Sequence, residues 1–223
     1  MPLRLLPLFP LPLVLFPGAP LPLHVFEPRY RQMLSDCLAG DGRFGVLLRP
    51  EGVAERDLPP GHVGCIAELD PARVQTLADG RSNIVVTGVE RFSLQRFVAS
   101  PAPYLVGEVT DVPDAGEDPA LLRPLDAEVR ALFARVGHAA RSISDDPDPL
   151  PDLPTDPTRL AFGIASVIDM PLGERQKLLA SRSPLERLQQ VEQVLRSAVL
   201  PLESRAQVHG RSKSNGHGPH ADG

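Results

Sequence analysis

Aromatic side chains are scarce in this sequence, and no part of it is strongly basic. Its 223 residues contain no Trp, two Tyr and eight Phe, and the net charge is −5. Residues 1–113 carry 10 basic and 12 acidic side chains, and residues 114–202 carry 10 and 14. Binding to a phosphate backbone needs a basic surplus, and single-stranded RNA is usually held by aromatic stacking. We therefore do not expect a nucleic-acid partner.

Motifs of several enzyme classes are also missing. The chain has no G-x-x-x-x-G-K-[ST] stretch, so it has no P-loop to hold a nucleoside triphosphate. Neither H-E-x-x-H nor G-x-S-x-G occurs. These absences favour a recognition module over an enzyme, and we expect no cofactor.

Cysteine occurs only at Cys37 and Cys65, 28 positions apart. A zinc site needs closely spaced ligand pairs, which these two residues cannot supply. Cys37 falls on the apolar stripe of a predicted helix and Cys65 in a predicted strand, so we expect both to be small buried hydrophobic residues. Two cysteines without a clear export signal favour a reducing cytosol, and we predict a cytoplasmic protein without a metal site.

The N-terminal apolar run up to Val25 superficially resembles a signal peptide or membrane span. Prolines interrupt it at six positions: Pro7, Pro10, Pro12, Pro17, Pro20 and Pro22. Each proline inside a helix removes a hydrogen bond and costs about 3 kcal/mol. The run is therefore predicted to form short, buried, extended segments, with prolines on edges or at bulges, and not a membrane helix.

Hydrophobic periodicity divides the chain into three parts. Residues 1–113 are predicted to form six or more short strands and one amphipathic helix, which begins at Pro28 and stops at Gly40. Residues 114–202 are predicted to be helical, with a first helix that starts at Asp118 and ends at Gly137. Residues 203–223 are small and polar and are predicted to form a disordered tail.

Six motifs follow one another in a specific order along the chain. They are Leu6-Pro7-Leu8-Phe9, Leu15-Phe16-Pro17-Gly18, Leu23-His24-Val25-Phe26-Glu27-Pro28-Arg29-Tyr30, Val63-Gly64-Cys65-Ile66-Ala67-Glu68, Gly88-Val89-Glu90-Arg91-Phe92 and Tyr104-Leu105-Val106-Gly107-Glu108-Val109. Together they resemble the substrate-binding (LON) domain at the N terminus of ATP-dependent Lon proteases. The chain is most similar to the short bacterial proteins that consist of this domain alone.

The resemblance implies an α+β fold: a PUA-like β pseudo-barrel with one inserted helix, followed by a C-terminal helical bundle. In the family, this unit engages unfolded or tagged protein segments, while separate domains hydrolyse ATP and cut peptides. The resemblance therefore implies a non-catalytic peptide-binding module. Its partners would be unfolded or exposed polypeptide segments and, in addition, a separate protease.

Candidate binding residues fall near the expected groove between the barrel and the first helix. They are Leu11, Leu13, Leu21, His24, Phe26, Glu27, Arg29, Tyr30 and Arg91. The three leucines are candidates for an exposed apolar patch, and such patches usually mark interaction sites. For the polar members a structural interpretation is favoured: Glu27 would stabilise the start of the helix, with Arg29 as its partner or as the partner of another acid. Arg91 would form a cation–π contact with an aromatic ring, hold a peptide carboxylate or, as we favour, join neighbouring strands.

Two other functions remain open from the sequence. PUA-like barrels occur in RNA-modifying proteins, so RNA binding is an alternative, although the charge and the few aromatics weigh against it. An unrecognised small-molecule enzyme is the second alternative. It would require a closed polar pocket with a strongly perturbed acid or histidine.

Overall fold

A computed structural model describes residues 2–215 of the chain. Within these residues the chain forms six strands, five α-helices and a short 3₁₀ turn at Glu55–Asp57. The strands are β1 (Arg4–Leu11), β2 (Pro20–Val25), β3 (Arg43–Leu48), β4 (Val63–Thr76), β5 (Ser82–Val98) and β6 (Leu105–Asp111). The helices are α1 (Pro28–Ala39), α2 (Pro119–Ser144), α3 (Pro157–Val167), α4 (Leu172–Ala180) and α5 (Pro184–Asn215). The mixed α+β class predicted from the sequence is confirmed.

The strand pairings close into a ring. β5 pairs with β4, β4 with β3, β3 with β1, β1 with β6, and β6 again with β5. All of these pairings are antiparallel except that of β1 with β3, which is parallel and places Phe9 beside Val46. β2 lies outside the ring and pairs with the first half of β5. Such a ring is the arrangement that a β-barrel requires.

The interior of the ring of strands is filled by one aromatic side chain and a set of aliphatic residues. Phe92 is fully buried, and it packs with Leu6, Leu8, Leu47, Leu58, Ile66, Leu94, Leu105 and Val109. Gly64 makes room for it: a Cβ at Gly64 would lie 2.6 Å from Phe92 Cζ and 2.5 Å from the Val46 carbonyl oxygen. The core packing thus explains why glycine occupies a strand interior, where it is otherwise unfavourable.

Two strands are longer than the sequence predicts. The sequence predicts short strands, but β4 covers 14 residues and β5 covers 17 and continues through Gly88. Gly88 keeps its place in the ladder opposite Ala67. A glycine weakens a strand locally but does not end it when the partner strand continues alongside.

The contacts divide the chain into two units. Residues up to Ala115 group with Ala165–Ser183, and Gly116–Ile164 group with the residues from Pro184 onward. Ala165–Ser183, which the sequence places in the helical part, thus groups with the β-rich residues. The side chain of Gln176 donates to the Val63 carbonyl at 2.8 Å, and the Arg175 guanidinium lies over the Phe16 ring at 5.0 Å. Such contacts between distant segments leave no local pattern in the sequence.

The helical unit is built around α2 and α5. Val129 on α2 and Val191 and Leu195 on α5 are buried. Arg187 is also fully buried; its guanidinium lies 4.3 Å from the centre of the Phe162 ring and donates to the Thr158 carbonyl at 2.7 Å. Burying an arginine in this way is tolerable because the charge has an aromatic face and a carbonyl as partners.

Both main helices extend beyond their predicted ends. α2 passes Gly137 and ends at Ser144, and Asp145 follows in a left-handed conformation (φ 54°). Gly137 is needed for packing and not as a stop, because a Cβ there would lie 2.6 Å from Leu150 Cδ2. α5 continues to Asn215, so the prediction of disorder is wrong for residues 203–215. The rest of the predicted tail, residues 216–223, lies outside the described residues.

In the part of the chain that the structure describes, no helix combines the length and the hydrophobicity needed to cross a membrane.

Candidate functional site

The start of α1 carries a cluster of charged and aromatic side chains. Arg29 forms two hydrogen bonds to the Glu55 carboxylate, at 2.6 and 2.8 Å, and its Nε donates to Glu27 at 3.0 Å. The same guanidinium lies 4.4 Å from the centre of the Tyr30 ring. Tyr30 is 3% exposed; its hydroxyl donates to Glu55 at 3.2 Å and its ring packs on Phe9 at 4.0 Å. These contacts fasten the start of α1 to the 3₁₀ turn.

The electrostatics of this cluster fit a structural role. The hydrogen bonds from Arg29 lower the pKa of Glu55 and keep it ionised. The hydrogen bond from Arg29 to Glu55 likewise raises the pKa of Arg29, and burial raises that of Tyr30. Arg29 thus has two carboxylate partners within the protein, and Tyr30 is buried against Phe9.

His24 and Phe26 are the candidate residues that face solvent. Phe26 is 58% exposed, although it is a large apolar side chain in the loop between β2 and α1. The His24 ring stacks beside it with centres 6.0 Å apart, and His24 Nδ1 is 2.7 Å from the Asn83 side-chain oxygen. An aromatic ring held by an ordered neighbour and open to solvent is suited to contacts with a partner.

The three candidate leucines do not form an exposed patch. Leu11 ends β1 opposite Leu48, Leu13 lies in the following loop, and Leu21 pairs with Val86 on β2. Each of them is half-buried. The expectation of exposed leucines is therefore corrected: each of the three side chains is partly covered, whereas Phe26 is 58% exposed.

Arg91 is not a surface residue either. It is 5% exposed, and its Nη1 donates to the carbonyls of Leu179 and Ser181 at 2.8 and 2.5 Å. Its Nη2 donates to Asp114 at 2.5 Å. Arg91 thus fastens the segment after α4 to β5, where the sequence favoured a link between neighbouring strands.

The far end of the β4–β5 hairpin creates two surface clefts. The register shifts between Leu69 and Val74, where residues 70–73 have no partners in the ladder. Beyond this irregularity the strands pair again, with Val74 opposite Ile84 and Thr76 opposite Ser82. We call residues 74–84 the hairpin end. Val74 lines a cleft on either side of it.

The first cleft, which we call the α1 cleft, lies between α1 and the hairpin end. Its volume is about 600 Å³. The lining residues are Pro28, Arg31, Gln32, Leu34, Ser35 and Leu38 from α1, with Val74, Thr76, Gly80 and Ser82 from the hairpin end. It is in the position where the groove was expected, between the sheet and the first helix, but it is lined by different residues from the nine candidates.

The second cleft, which we call the β2 cleft, lies between β2 and the hairpin end and has a volume of about 660 Å³. Its lining is largely apolar and includes His24: Pro22, Leu23, His24, Ala72, Arg73, Val74, Gln75, Asn83, Ile84 and Val85. His24 therefore connects this cleft to Phe26. Of the nine candidate residues, the structure brings His24 and Phe26 together at the hairpin end, and it places Glu27, Arg29 and Tyr30 in the separate cluster with Glu55.

Two prolines prevent β2 from accepting a further strand along its outer edge. The Gly88 N–H donates to the Ala19 carbonyl. Because hydrogen-bonded pairs alternate along an antiparallel ladder, the backbone N–H and C=O groups of Leu21 and Leu23 then point toward β5. The backbone groups of residues 20, 22 and 24 point away from β5, and two of these residues are prolines, which have no N–H to donate. A bound peptide would consequently be held by side chains and not by a continued ladder.

Metal and thiol chemistry have no support in residues 2–215. No group of three or more His, Cys, Asp or Glu side chains there could hold a metal ion. Cys37 and Cys65 are free and buried, and burial raises the pKa of each thiol to about 12. Both behave as the sequence predicts, as small buried hydrophobic residues without a reactive thiolate.

Comparison with known families identifies the chain. Residues 5–197 match the family described as the ATP-dependent protease La (LON) substrate-binding domain. Because the match covers most of the chain, the protein belongs to this family, as the resemblance implied.

Relatives and solved structures agree with this assignment. The chain is 28% identical to a Lon protease of Trichlorobacter lovleyi over 94% of its own length and 26% of the relative's. It is 28% identical to a Lon protease of Citrifermentans bemidjiense over 73% of the chain and 20% of that relative. The chain thus spans about a quarter or less of these proteins. Its fold is similar to the N-terminal domain of a Mycobacterium avium complex Lon protease, with a TM-score of 0.64, 24% identity and coverage of 86% and 98% of the two chains. The fold is also similar to a Lon N-terminal domain protein from Xanthomonas campestris, with a TM-score of 0.57, 26% identity and coverage of 84% of this chain and 96% of the other.

Proposed function

We propose that this protein binds exposed segments of unfolded polypeptides and does so without catalysis of its own. Membership of a substrate-binding domain family supports this function. The observation that carries it is Phe26, a large apolar side chain that is 58% exposed beside a largely apolar cleft. The hydrolysis of ATP and of peptide bonds would then belong to a separate protease that receives the bound segment.

The proposed mechanism is burial of apolar side chains at the hairpin end. An apolar residue of the bound segment packs against Phe26 and enters the β2 cleft beside Leu23 and Val85. Burial of apolar area contributes about 25 cal/mol per Å². Ordering a flexible segment opposes binding, so the affinity is expected in the micromolar range and not tighter.

The test is a titration of a fluorescently labelled, permanently unfolded polypeptide with the purified protein, followed by fluorescence anisotropy. Phe26→Ser is expected to weaken binding at least about tenfold, because a central aromatic contact contributes a large share of such interfaces. Circular dichroism should show an unchanged fold, since the Phe26 side chain is already largely in solvent.

A matched control is Leu5→Ser. Leu5 is 63% exposed on β1 and is equally apolar, but it lines neither the α1 cleft nor the β2 cleft. This variant should bind the unfolded polypeptide like the unaltered protein. The absence of binding at high micromolar concentration, or an equal loss in both variants, would reject the proposed function.

A further inference from the structure

The charge in the lining of the α1 cleft is positive. Among the residues that line it, Arg31 alone is charged, and the polar remainder consists of uncharged side chains. The β2 cleft, in contrast, is mostly apolar. A cleft with one cation and no acid in its lining has the charge complement of an anionic group.

Arg31 is placed for a partner that the described chain does not supply. Its guanidinium has neither an ion pair nor a hydrogen bond within residues 2–215, whereas Arg29 is bound to Glu55 and Arg81 to Asp79. The guanidinium rests against the turn of the hairpin end at Gly80, where a Cβ would overlap it. Gly80 has a φ of 78°, which glycine adopts without strain. The turn thus holds the Arg31 guanidinium at the wall of the cleft.

Ser82 adds a hydroxyl to the same lining. The residue is 5% exposed, and its hydroxyl has no hydrogen-bond partner among residues 2–215. Because Ser82 lines the cleft, a group bound there can accept a hydrogen bond from this hydroxyl.

We propose that the α1 cleft binds an acidic side chain of an extended polypeptide segment, with Arg31 as the partner of the carboxylate and Ser82 as a further donor. The carboxylate suits the planar guanidinium, which can donate two parallel hydrogen bonds. This inference rests on the proposed function and specifies which segments are preferred.

The length of the cleft suggests where an apolar neighbour would be. Arg31 and Leu38 are seven positions apart on α1, which corresponds to about 10 Å along the helix axis. An extended segment covers this distance in about three residues. Leu38 is 40% exposed and lines the same cleft. The preferred segment therefore has an acidic residue about three positions from an apolar one.

The test compares two short peptides by fluorescence anisotropy at low salt. Both have an acetylated N terminus and an amidated C terminus, and both carry a Leu three positions from the variable residue, which is Glu in one and Gln in the other. Because the termini are blocked, the Glu side chain is the one carboxylate of its peptide. The Glu peptide should bind about fivefold more tightly than the Gln peptide, which is the upper range for an exposed ion pair. High salt should reduce the difference.

Variants locate the effect. Arg31→Gln should remove the preference for the Glu peptide while leaving binding of the Gln peptide unchanged, and Arg31→Glu should reverse the preference toward a Lys peptide. Arg81→Gln is the matched control, because Arg81 lies in the same turn but pairs with Asp79 and does not line the cleft. Circular dichroism checks that each variant is folded.

The outcomes separate the two proposals. Equal binding of the Glu and Gln peptides, or a preference that survives Arg31→Gln, overturns the carboxylate site. If Phe26→Ser still abolishes binding in that case, the proposed function stands without it. If neither peptide and no unfolded polypeptide binds, both proposals are rejected.

Discussion

The ring and the hairpin end are built from the same two strands but differ in almost every physical property. Inside the ring, β4 and β5 contribute fully buried residues such as Ile66 and Phe92. Beyond the register shift at Leu69, β4 is largely exposed, whereas Ser82 and Ile84 of β5 stay buried, and the hairpin end borders two clefts. The irregularity in β4 thus separates a part of the sheet that stabilises the protein from a part that is free to contact other molecules.

This comparison teaches that pairing and burial are independent properties of a strand. The hairpin end keeps its ladder hydrogen bonds, so its backbone is ordered, but few of its side chains are needed for the core. An ordered backbone with replaceable side chains is a favourable base for a binding surface, because the surface can be changed without loss of the fold. Substitutions in the two regions should therefore have very different effects.

The largest difference is expected between Phe92→Ala and Val74→Ala. Phe92 is fully buried in the ring, and its truncation should lower the free energy of unfolding by about 3–5 kcal/mol. Val74 is half-buried at the hairpin end, and its truncation should cost less than about 1 kcal/mol, because a smaller area leaves solvent on folding. Urea denaturation followed by circular dichroism measures both. Similar losses for the two variants would show that the hairpin end belongs to the core.

Two glycines distinguish the regions by mechanism. Gly64→Ala should cost about 1–3 kcal/mol, because the new methyl group would overlap Phe92 and the Val46 carbonyl in the ring. Gly80→Ala should cost about 1 kcal/mol, because alanine is strained at a φ of 78°. The Arg31 guanidinium that the new methyl group would overlap is the end of an exposed side chain and can move aside.

Asparagine substitutions then separate crowding from backbone strain. Asparagine tolerates the left-handed region better than alanine does, so Gly80→Asn should be less damaging than Gly80→Ala in the same denaturation experiment. Gly64→Asn should be worse than Gly64→Ala, since the larger side chain meets the same neighbours. If the two positions respond alike to asparagine, a difference in mechanism is not supported.

Much of the ring could be predicted from sequence because its signals are local. The apolar spacing from Tyr30 to Cys37 marks α1, and the strand runs lie close to their observed positions. The hairpin end could not be predicted in the same way. Residues 70–73 interrupt the pairing of one continuous strand, and an interruption of this kind looks like a turn between two strands in the sequence.

The candidate site is harder to predict because its contacts are not local. Glu27, Arg29 and Tyr30 are close in sequence, but the shared partner of Arg29 and Tyr30 is Glu55, which lies 26 positions after Arg29. Arg31 and Ser82 were missed, since nothing in the sequence places the two sides of the α1 cleft together. The spacing of Arg31, Ser35 and Leu38 along one side of α1 was the available signal.

Lowering the pH should remove the stabilising contribution of the Arg29–Glu55 ion pair and leave that of Arg31 unchanged. The pKa of Glu55 is lowered from its ordinary value of 4.5 by its hydrogen bonds with Arg29. Its ionised form therefore stabilises the fold fully above pH 4.5, and this contribution is lost as the pH falls through the lowered pKa. Glu55→Gln should cost about 1 kcal/mol at pH 7 and lose most of that difference at strongly acidic pH.

Arg31→Gln provides the comparison for this pH series. Arg31 has no ion pair within residues 2–215, so the substitution should change the free energy of unfolding by no more than about 0.5 kcal/mol at any pH. Urea denaturation at several pH values from 7 down to strongly acidic conditions measures both variants. A pH-dependent loss in Arg31→Gln would indicate an acidic partner within the protein and would contradict the open cleft.

The smallest effect on stability, and the most direct view of the cleft, is expected for Ser35→Cys. Ser35 is exposed in the lining of the α1 cleft, so the substitution should change stability by less than about 0.5 kcal/mol. Cys37 and Cys65 are buried with their thiol pKa values raised to about 12, and at pH 8 a disulfide reagent should leave both unmodified until the protein unfolds. The new thiol at position 35 should react at once, giving one modified thiol in the folded variant and none in the unaltered protein. Saturation with the Glu peptide should slow this reaction more than the Gln peptide does at equal concentration, because the acidic segment occupies the same cleft. Rapid modification of Cys37 in the unaltered protein would show instead that α1 separates from the ring. In that case α1 would not be part of the stable core, and the contrast between a stable ring and a replaceable surface would not hold for this helix.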